Sequence, residues 1–392
     1  MTTQDDPTGA GTPLVLANAK LVLVDRIVLG SLVVRDGRIE AVEESGAAVP
    51  AGALDLGGDY LIPGLVDLHT DHFEKHIFPR FHVRWDYVRA ALAHDAQIIG
   101  GGVTTVFDSL AVGNAEGDSR RSEILKPMID ALERATAGGM LRAQHLVHLR
   151  CEVIDPKTPA LVQEVIDHPL VRIASVMEHL PGIRQTRDLE GYIARMADIR
   201  DQGVETTRDQ VMAMIAEKSE IGRKVRPEVV ALAKARGLPL LSHDDTDIAH
   251  VDLAADEGVA ISEFPCSLEA AREARLRGMA TVGGAPNILR GQSQSGNVAM
   301  KELMDEGLLD ILASDYVPRS MLDAAFLITD STDFAEDLPA AIRMVAKAPA
   351  EAAGLADRGE ITAGRRADLV HIGLFEGHPF PKMIWREGIR VA

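Results

Sequence analysis

Three residues in the run LIPGLVDLHTD, namely Asp67, His69 and Asp71, alternate along an apolar stretch interrupted by a Pro-Gly pair. Successive side chains of a strand point to opposite faces, so in an extended chain all three share one face. Imidazole and carboxylate are the groups that bind divalent metals, and an acid, a histidine and an acid at a strand tip could begin such a site. The same triplet could also cap a strand-to-helix turn, so its meaning depends on partners elsewhere.

Partners recur at the ends of other apolar runs. Glu152 closes QHLVHLRCE, His179 follows VRIASVM, His243 with Asp244 and Asp245 closes LPLLSHDD, and Asp315 closes LDILASD. The expected metal ligands are therefore His69, Asp71, Glu152, His179, His243 and Asp315, enough for one or two divalent ions, zinc first, with manganese or iron as alternatives. Asp315 is also the expected catalytic residue, because a divalent ion lowers the pKa of water toward ~7 and an adjacent carboxylate can take the proton. Its competing reading is a helix N-cap. Glu178 and His179 point to opposite faces, so one of them enters the site, and His179 is the expected one. His145 and His148 lie inside a strand and read as packed residues.

The elements that must position these groups follow from the rhythm of the chain. Apolar runs begin near positions 61, 103, 144, 171, 238, 259, 280 and 309, with helical stretches between them. Eight such alternations predict an α/β fold, a (β/α)8 TIM-like barrel whose catalytic groups sit where strands end. Short β-type runs precede the barrel and return after Pro349. The expected organisation is a flexible tail at 1–12, a small β-sandwich domain built from 13–60 and 355–392, and a barrel over 61–354. A charged stretch between Pro181 and Pro227 breaks the rhythm and reads as a lid at the barrel mouth or as a solvated helical pair.

Composition narrows the partners. The 392 residues carry 41 basic and 59 acidic side chains, a formal charge of −18. That balance argues against nucleic acid and anionic membranes and leaves a small molecule as the expected partner, with a homo-oligomer allowed. Cys151 and Cys266 are the two cysteines, which excludes a disulfide framework or a cysteine-rich zinc site. The acidic N-terminus and the lack of a membrane-length apolar run predict a cytoplasmic protein.

The stretches PGLVDLHTDHFEKH, AHDAQ, GVTTVFD, HLRCE, MEHLPGIRQ, LSHDD, EFPCSLEAA, GAPNILRGQSQSGN and LASDYVP together resemble the amidohydrolase superfamily, and within it a branch that cleaves a phosphorylated sugar during phosphonate breakdown. The resemblance spans nearly the whole chain. It implies an acid-anhydride hydrolase that converts a ribose 5-triphosphate to the 5-phosphate, releasing pyrophosphate and sparing the C–P bond. Four departures from the superfamily pattern stand out. The first motif is His-Thr-Asp where His-x-His is usual, Glu152 stands in for a bridging lysine, and Gln294 occupies a position where histidine is expected. The later histidines also fall on the fourth and fifth runs, where the superfamily uses the fifth and sixth. A triphosphate entering an acidic protein needs fixed cations, and Lys75, Arg80, Arg184, Arg290 and Arg319 follow strand ends, with His76 and Arg84 nearby. Rival readings are a hydrolase of cyclic amides or N-acyl groups, and a non-catalytic scaffold barrel.

Overall fold

The computed structural model describes residues 13–80, 82–114, 119–184, 186–293, 296–330 and 337–392, without the side chains of 119–122. The tail expected over 1–12 and the expectation about Gln294 lie outside the described residues. Sixteen strands are present among them: β1 (Leu14–Val22), β2 (Ile27–Arg35), β3 (Arg38–Glu43), β4 (Leu54–Asp55), β5 (Tyr60–Pro63), β6 (Leu65–Thr70), β7 (Val103–Val112), β8 (Gln144–Glu152), β9 (Val171–Met177), β10 (Leu240–His243), β11 (Ile261–Glu263), β12 (Ala280–Gly284), β13 (Ile311–Ala313), β14 (Leu369–Phe375), β15 (His378–Arg386) and β16 (Ile389–Arg390).

Strands β6 to β13 form one sheet in sequence order, the eight-stranded (β/α)8 barrel. A parallel bridge between Thr70 and Asp315 links the end of β6 to the residues after β13. The physical reason is visible in burial: β6 is buried at every residue and β7 at all but one. Strands covered on both faces read as unbroken apolar runs, and parallel strands need the intervening helices to return the chain.

The terminal segments share a second sheet, in the order β16-β15-β14-β5-β1-β2-β3 with β4 on β1. β14 runs antiparallel to β5 with Leu369 opposite Pro63, so the two ends of the chain meet in one hydrogen-bonded layer. Its core includes Leu16, Leu21, Leu32, Ile39, Leu61 and Trp385. The run LIPGLVDLH, which reads as one strand, is thus two: Tyr60–Pro63 belongs to the terminal sheet and Leu65–Thr70 to the barrel. Gly64 is the joint, and a Cβ there would meet Thr104 Oγ1 at 2.2 Å.

By its contacts the chain falls into two compact units, Met1–Phe107 with Arg134–His145 and Ile311–Ala392, and Asp108–Glu133 with Leu146–Asp310. In the second unit the charged stretch after Pro181 forms helices Leu189–Arg200 and Val204–Ala235. Ile193, Ala197, Thr207 and Val211 are buried. Pro227 lies inside the longer helix, so it does not end the stretch. In the first unit, β6 is followed by helices α1 (Phe73–Ile77) and α2 (Tyr87–Gly100), the latter capped by Asp86, which accepts from Arg89 N at 2.9 Å.

Candidate metal centre

In the second unit the parallel register decides which strand-end residues meet. Glu152 is the partner of Met177, and two residues beyond Met177 the chain returns His179 to the same side. His179 Nδ1 lies 2.6 Å from Glu152 Oε2, and its backbone N–H donates to Oε1 at 3.3 Å. An ionised carboxylate only accepts, so the ring must donate from Nδ1. His243 and Glu263 are register partners on β10 and β11, and His243 Nδ1 lies 2.6 Å from Glu263 Oε2. The two rings meet edge-on, with centroids 5.6 Å apart.

Asp244 completes this group. Its φ of 57° is left-handed, which turns the chain sharply after β10, and its backbone N–H donates to Glu263 O at 2.9 Å. Its Oδ2 stands 3.4 Å from His243 Nε2, is buried, and accepts no hydrogen bond. His179, His243 and Asp244 each offer one donor atom, all within 4.8 Å of one another. These residues fit a divalent metal. Carboxylates hold both rings by Nδ1, and an uncompensated buried carboxylate oxygen lies beside them, the arrangement that a cation with bonds of ~2.0–2.2 Å satisfies.

Beneath the group lies a buried ion pair. Arg184, 1% exposed, donates from Nη1 to His243 O at 2.9 Å and to Asp245 Oδ1 at 2.7 Å. Ser242 Oγ donates to the same oxygen at 2.7 Å. Burial opposes the Arg184 charge, yet Asp245 and Glu178 hold its pKa above the ordinary value. The phosphate contact expected of Arg184 is corrected here, because its guanidinium is enclosed and already engaged. Glu178 turns away from His179, its carboxylate 3.7 Å from Arg184 Nε. The expectation for Glu152 also changes: both its oxygens serve His179, so it orients a ring, and Asp244 is the carboxylate grouped with the two histidines.

In the first unit, backbone bonds join the strand ends that carry His69, Asp71 and Asp315. Asp315 N donates to His69 O at 2.9 Å and Asp71 N to Asp315 O at 3.2 Å. Asp315 has a φ of 53° and lies ahead of the helix Ser320–Asp330. Asp67, fully buried, accepts from His69 N at 3.2 Å and Ser314 N at 3.1 Å. Burial pushes its carboxyl up to about 6, against the pull of Ser314 and His69.

Of the expected cations, Lys75 donates to Tyr316 O at 3.2 Å and lies 3.9 Å from Asp71 Oδ1. Arg319 is held by Asp323 at 3.3 Å and by Pro379 O. Arg80 is exposed, as is Arg290, the last residue of the helix Ala285–Arg290. The stretch NILR is thus helical, and the loop proper begins at Gly291. His76 is no cation: burial, His94 and Lys75 lower its pKa. Sequence reasoning passed over Glu263, although it ends β11 as His243 ends β10, and the strand-end rule applied to SEF would have found it. His148, buried, has Nδ1 3.1 Å from Ser109 Oγ and 4.0 Å from Glu263 Oε1.

Residues 60–385 match the amidohydrolase family. Alpha-D-ribose 1-methylphosphonate 5-triphosphate diphosphatase of Escherichia coli is 41% identical over 381 residues, covering 96% of this chain and 100% of that protein. An imidazolonepropionase of Thermoplasma acidophilum is 25% identical over 87% of this chain and 82% of its own. Among solved structures, N-isopropylammelide isopropylaminohydrolase from Burkholderia multivorans superposes with a TM-score of 0.62 at 18% identity, covering 97% and 98% of the two chains. 5-Methylcytosine deaminase from Klebsiella pneumoniae does so with 0.62 at 16%, with the same coverage. The barrel, the terminal sheet and the strand-end imidazoles have a common explanation in that match: this chain belongs to the amidohydrolase family.

Proposed function

We propose that the chain is a metal-dependent hydrolase that cleaves α-D-ribose 1-methylphosphonate 5-triphosphate to the 5-phosphate and pyrophosphate, leaving the C–P bond intact. The observation that carries this reading is end-to-end identity of 41% to a protein bearing that name. The fit of His179, His243 and Asp244 to a cation supports it. His179, His243 and Asp244 would hold a metal, with His69 and Asp71 taking the ligand roles that the superfamily resemblance implies. When bound, a divalent ion supplies Lewis-acid polarisation of a phosphoryl oxygen and acidifies water.

The chain's own residues do the rest. Glu152 and Glu263 fix the tautomer and direction of the two rings, so each presents Nε2. Arg184 steadies the His243 backbone through its carbonyl. Asp315 takes the proton from the attacking water as the new P–O bond forms, while the P–O bond to the leaving pyrophosphate breaks. Lys75, Arg80, Arg290 and Arg319 are the cations proposed to bind triphosphate oxygens. Zinc is the proposed metal, on the chemistry of imidazole and carboxylate donors. A reducing cytoplasmic setting is the reading that accords with two cysteines, Cys151 and Cys266, both buried free thiols.

Phosphorus NMR on the purified protein with the ribose 5-triphosphate tests the reading. Pyrophosphate should appear while the phosphonate resonance stays unshifted by bond cleavage. Asp315→Asn should retain its metal and lower kcat by about a hundredfold or more. Ring opening of cyclic amides with the triphosphate left intact would replace this reading with the amidase one.

A further inference from the structure

The first unit contains a second group of imidazoles, formed by two helices. His72 and His76 stand four residues apart, one helical turn, at the start and near the end of α1, so both rings share one side. His94 comes from α2, is fully buried, and stacks on Phe73 with centroids 5.3 Å apart and planes at 12°. The three rings form a near-equilateral triangle, with centroid separations of 5.0 Å for His72 and His76, 5.9 Å for His72 and His94, and 5.8 Å for His76 and His94. One nitrogen from each lies within 4.8 Å of the other two.

Two features set this apart from ordinary packing. His72 Nδ1 and His76 Nε2 are buried and make no hydrogen bond, although a buried polar nitrogen without a partner is costly. His72 is also the N-cap residue of α1, yet its side chain caps nothing. Lys75, between the two in sequence, directs its ammonium to Tyr316 O at 3.2 Å instead.

We propose that His72, His76 and His94 form a second transition-metal site, a three-imidazole centre that clamps α1 to α2. Three imidazole nitrogens select zinc, cobalt, nickel or copper over magnesium or calcium. Tetrahedral bonds of ~2.0–2.1 Å put donors ~3.3 Å apart, so atoms within 4.8 Å of one another close by at most ~1.5 Å, which rotation of the rings on α1 supplies. The site lies outside the proposed hydrolytic group, and its role is to hold two helices together.

Cobalt(II) titration of the chelator-stripped full chain tests this, with elemental analysis for stoichiometry and triphosphate hydrolysis followed in parallel. A His179→Asn/His243→Asn double variant should retain a cobalt equivalent whose absorption marks imidazole coordination. Adding His76→Gln to that double variant should remove it. In the wild type, zinc should raise Tm, and His72→Gln or His76→Gln should cancel most of that rise. The proposal is overturned if His76→Gln and His72→Gln each bind as much cobalt as wild type, or if the double variant binds none. Either result alongside triphosphate hydrolysis by the wild type would reject this site and leave the hydrolase reading standing; a cobalt equivalent bound by the double variant with no triphosphate cleavage by the wild type would do the reverse.

Discussion

Two groups of histidines in this protein show how neighbours decide what an imidazole can do. At the ends of β9 and β10, His179 and His243 each have a carboxylate 2.6 Å from Nδ1. Between α1 and α2, the neighbours of His72, His76 and His94 include one another. The carboxylates fix which nitrogen carries the proton and aim the other outward. At His72 Nδ1 and His76 Nε2 no hydrogen-bond partner does this. Burial, then His94, His76 and Lys75, bring His72 down to about 4, so its ring stays neutral. The same side chain becomes a directed donor in one place and, at His72 and His76, leaves a buried nitrogen without a hydrogen bond in the other.

The comparison breaks most visibly if the support under the directed pair is removed. Arg184→Met leaves Asp245 buried and unpaired, and should cost about 3–5 kcal/mol of stability, the usual scale for breaking one half of a buried ion pair. Denaturant unfolding with and without metal measures it. An unchanged midpoint would mean that Arg184 does not support His243.

A smaller effect sharpens the contrast. Glu263→Gln and Glu152→Gln keep side-chain shape but remove the charge that holds each ring, and should weaken metal affinity by about 10–100-fold. Competition with a calibrated chelator reads this out, and equal affinities in wild type and both variants would show that the carboxylates merely pack.

The smallest effect concerns a histidine set between a carboxylate and a lysine. His371, in the terminal sheet, has Nε2 2.9 Å from Asp59 Oδ2, which also accepts from Lys382 Nζ at 2.6 Å. Burial lowers the His371 pKa, and Lys382 adds to this, outweighing the pull of Asp59. Because the folded pKa lies below the unfolded one, the folded state binds fewer protons in that window. The His371 contribution is therefore present above pH ~6.5 and is lost as pH falls from there toward its folded pKa. Tm measured across that range should slope downward toward acid, and His371→Asn should flatten the slope.

Much of the architecture was legible along the chain, because periodicity is a local property. Unbroken apolar runs with polar ends gave away eight parallel strands, and the count that placed His179 and His243 after the fourth and fifth of them agrees with β9 and β10. The Pro-Gly pair marks an interruption at Gly64, but the membership of its two sides was not legible, since only pairing with β1 and β14 assigns Tyr60–Pro63 to the terminal sheet.

The composition of the strand tips, His69 with Asp71, Glu152, His179, His243 and Asp315, is a property of the sequence alone, as is the acidic balance that makes locally fixed cations necessary. Tertiary structure decided which of these groups share partners. Parallel register set Glu263 beside His243, a left-handed turn placed Asp244 by its Nε2, and burial turned Arg184 from a surface cation into the support of a backbone carbonyl. Spacing along one strand or helix repeats every two or 3.6 residues and can be read directly. The meeting of His94 with His72, or of Arg184 with Asp245, depends on how separate elements pack, and nothing local in the chain encodes the distance between them.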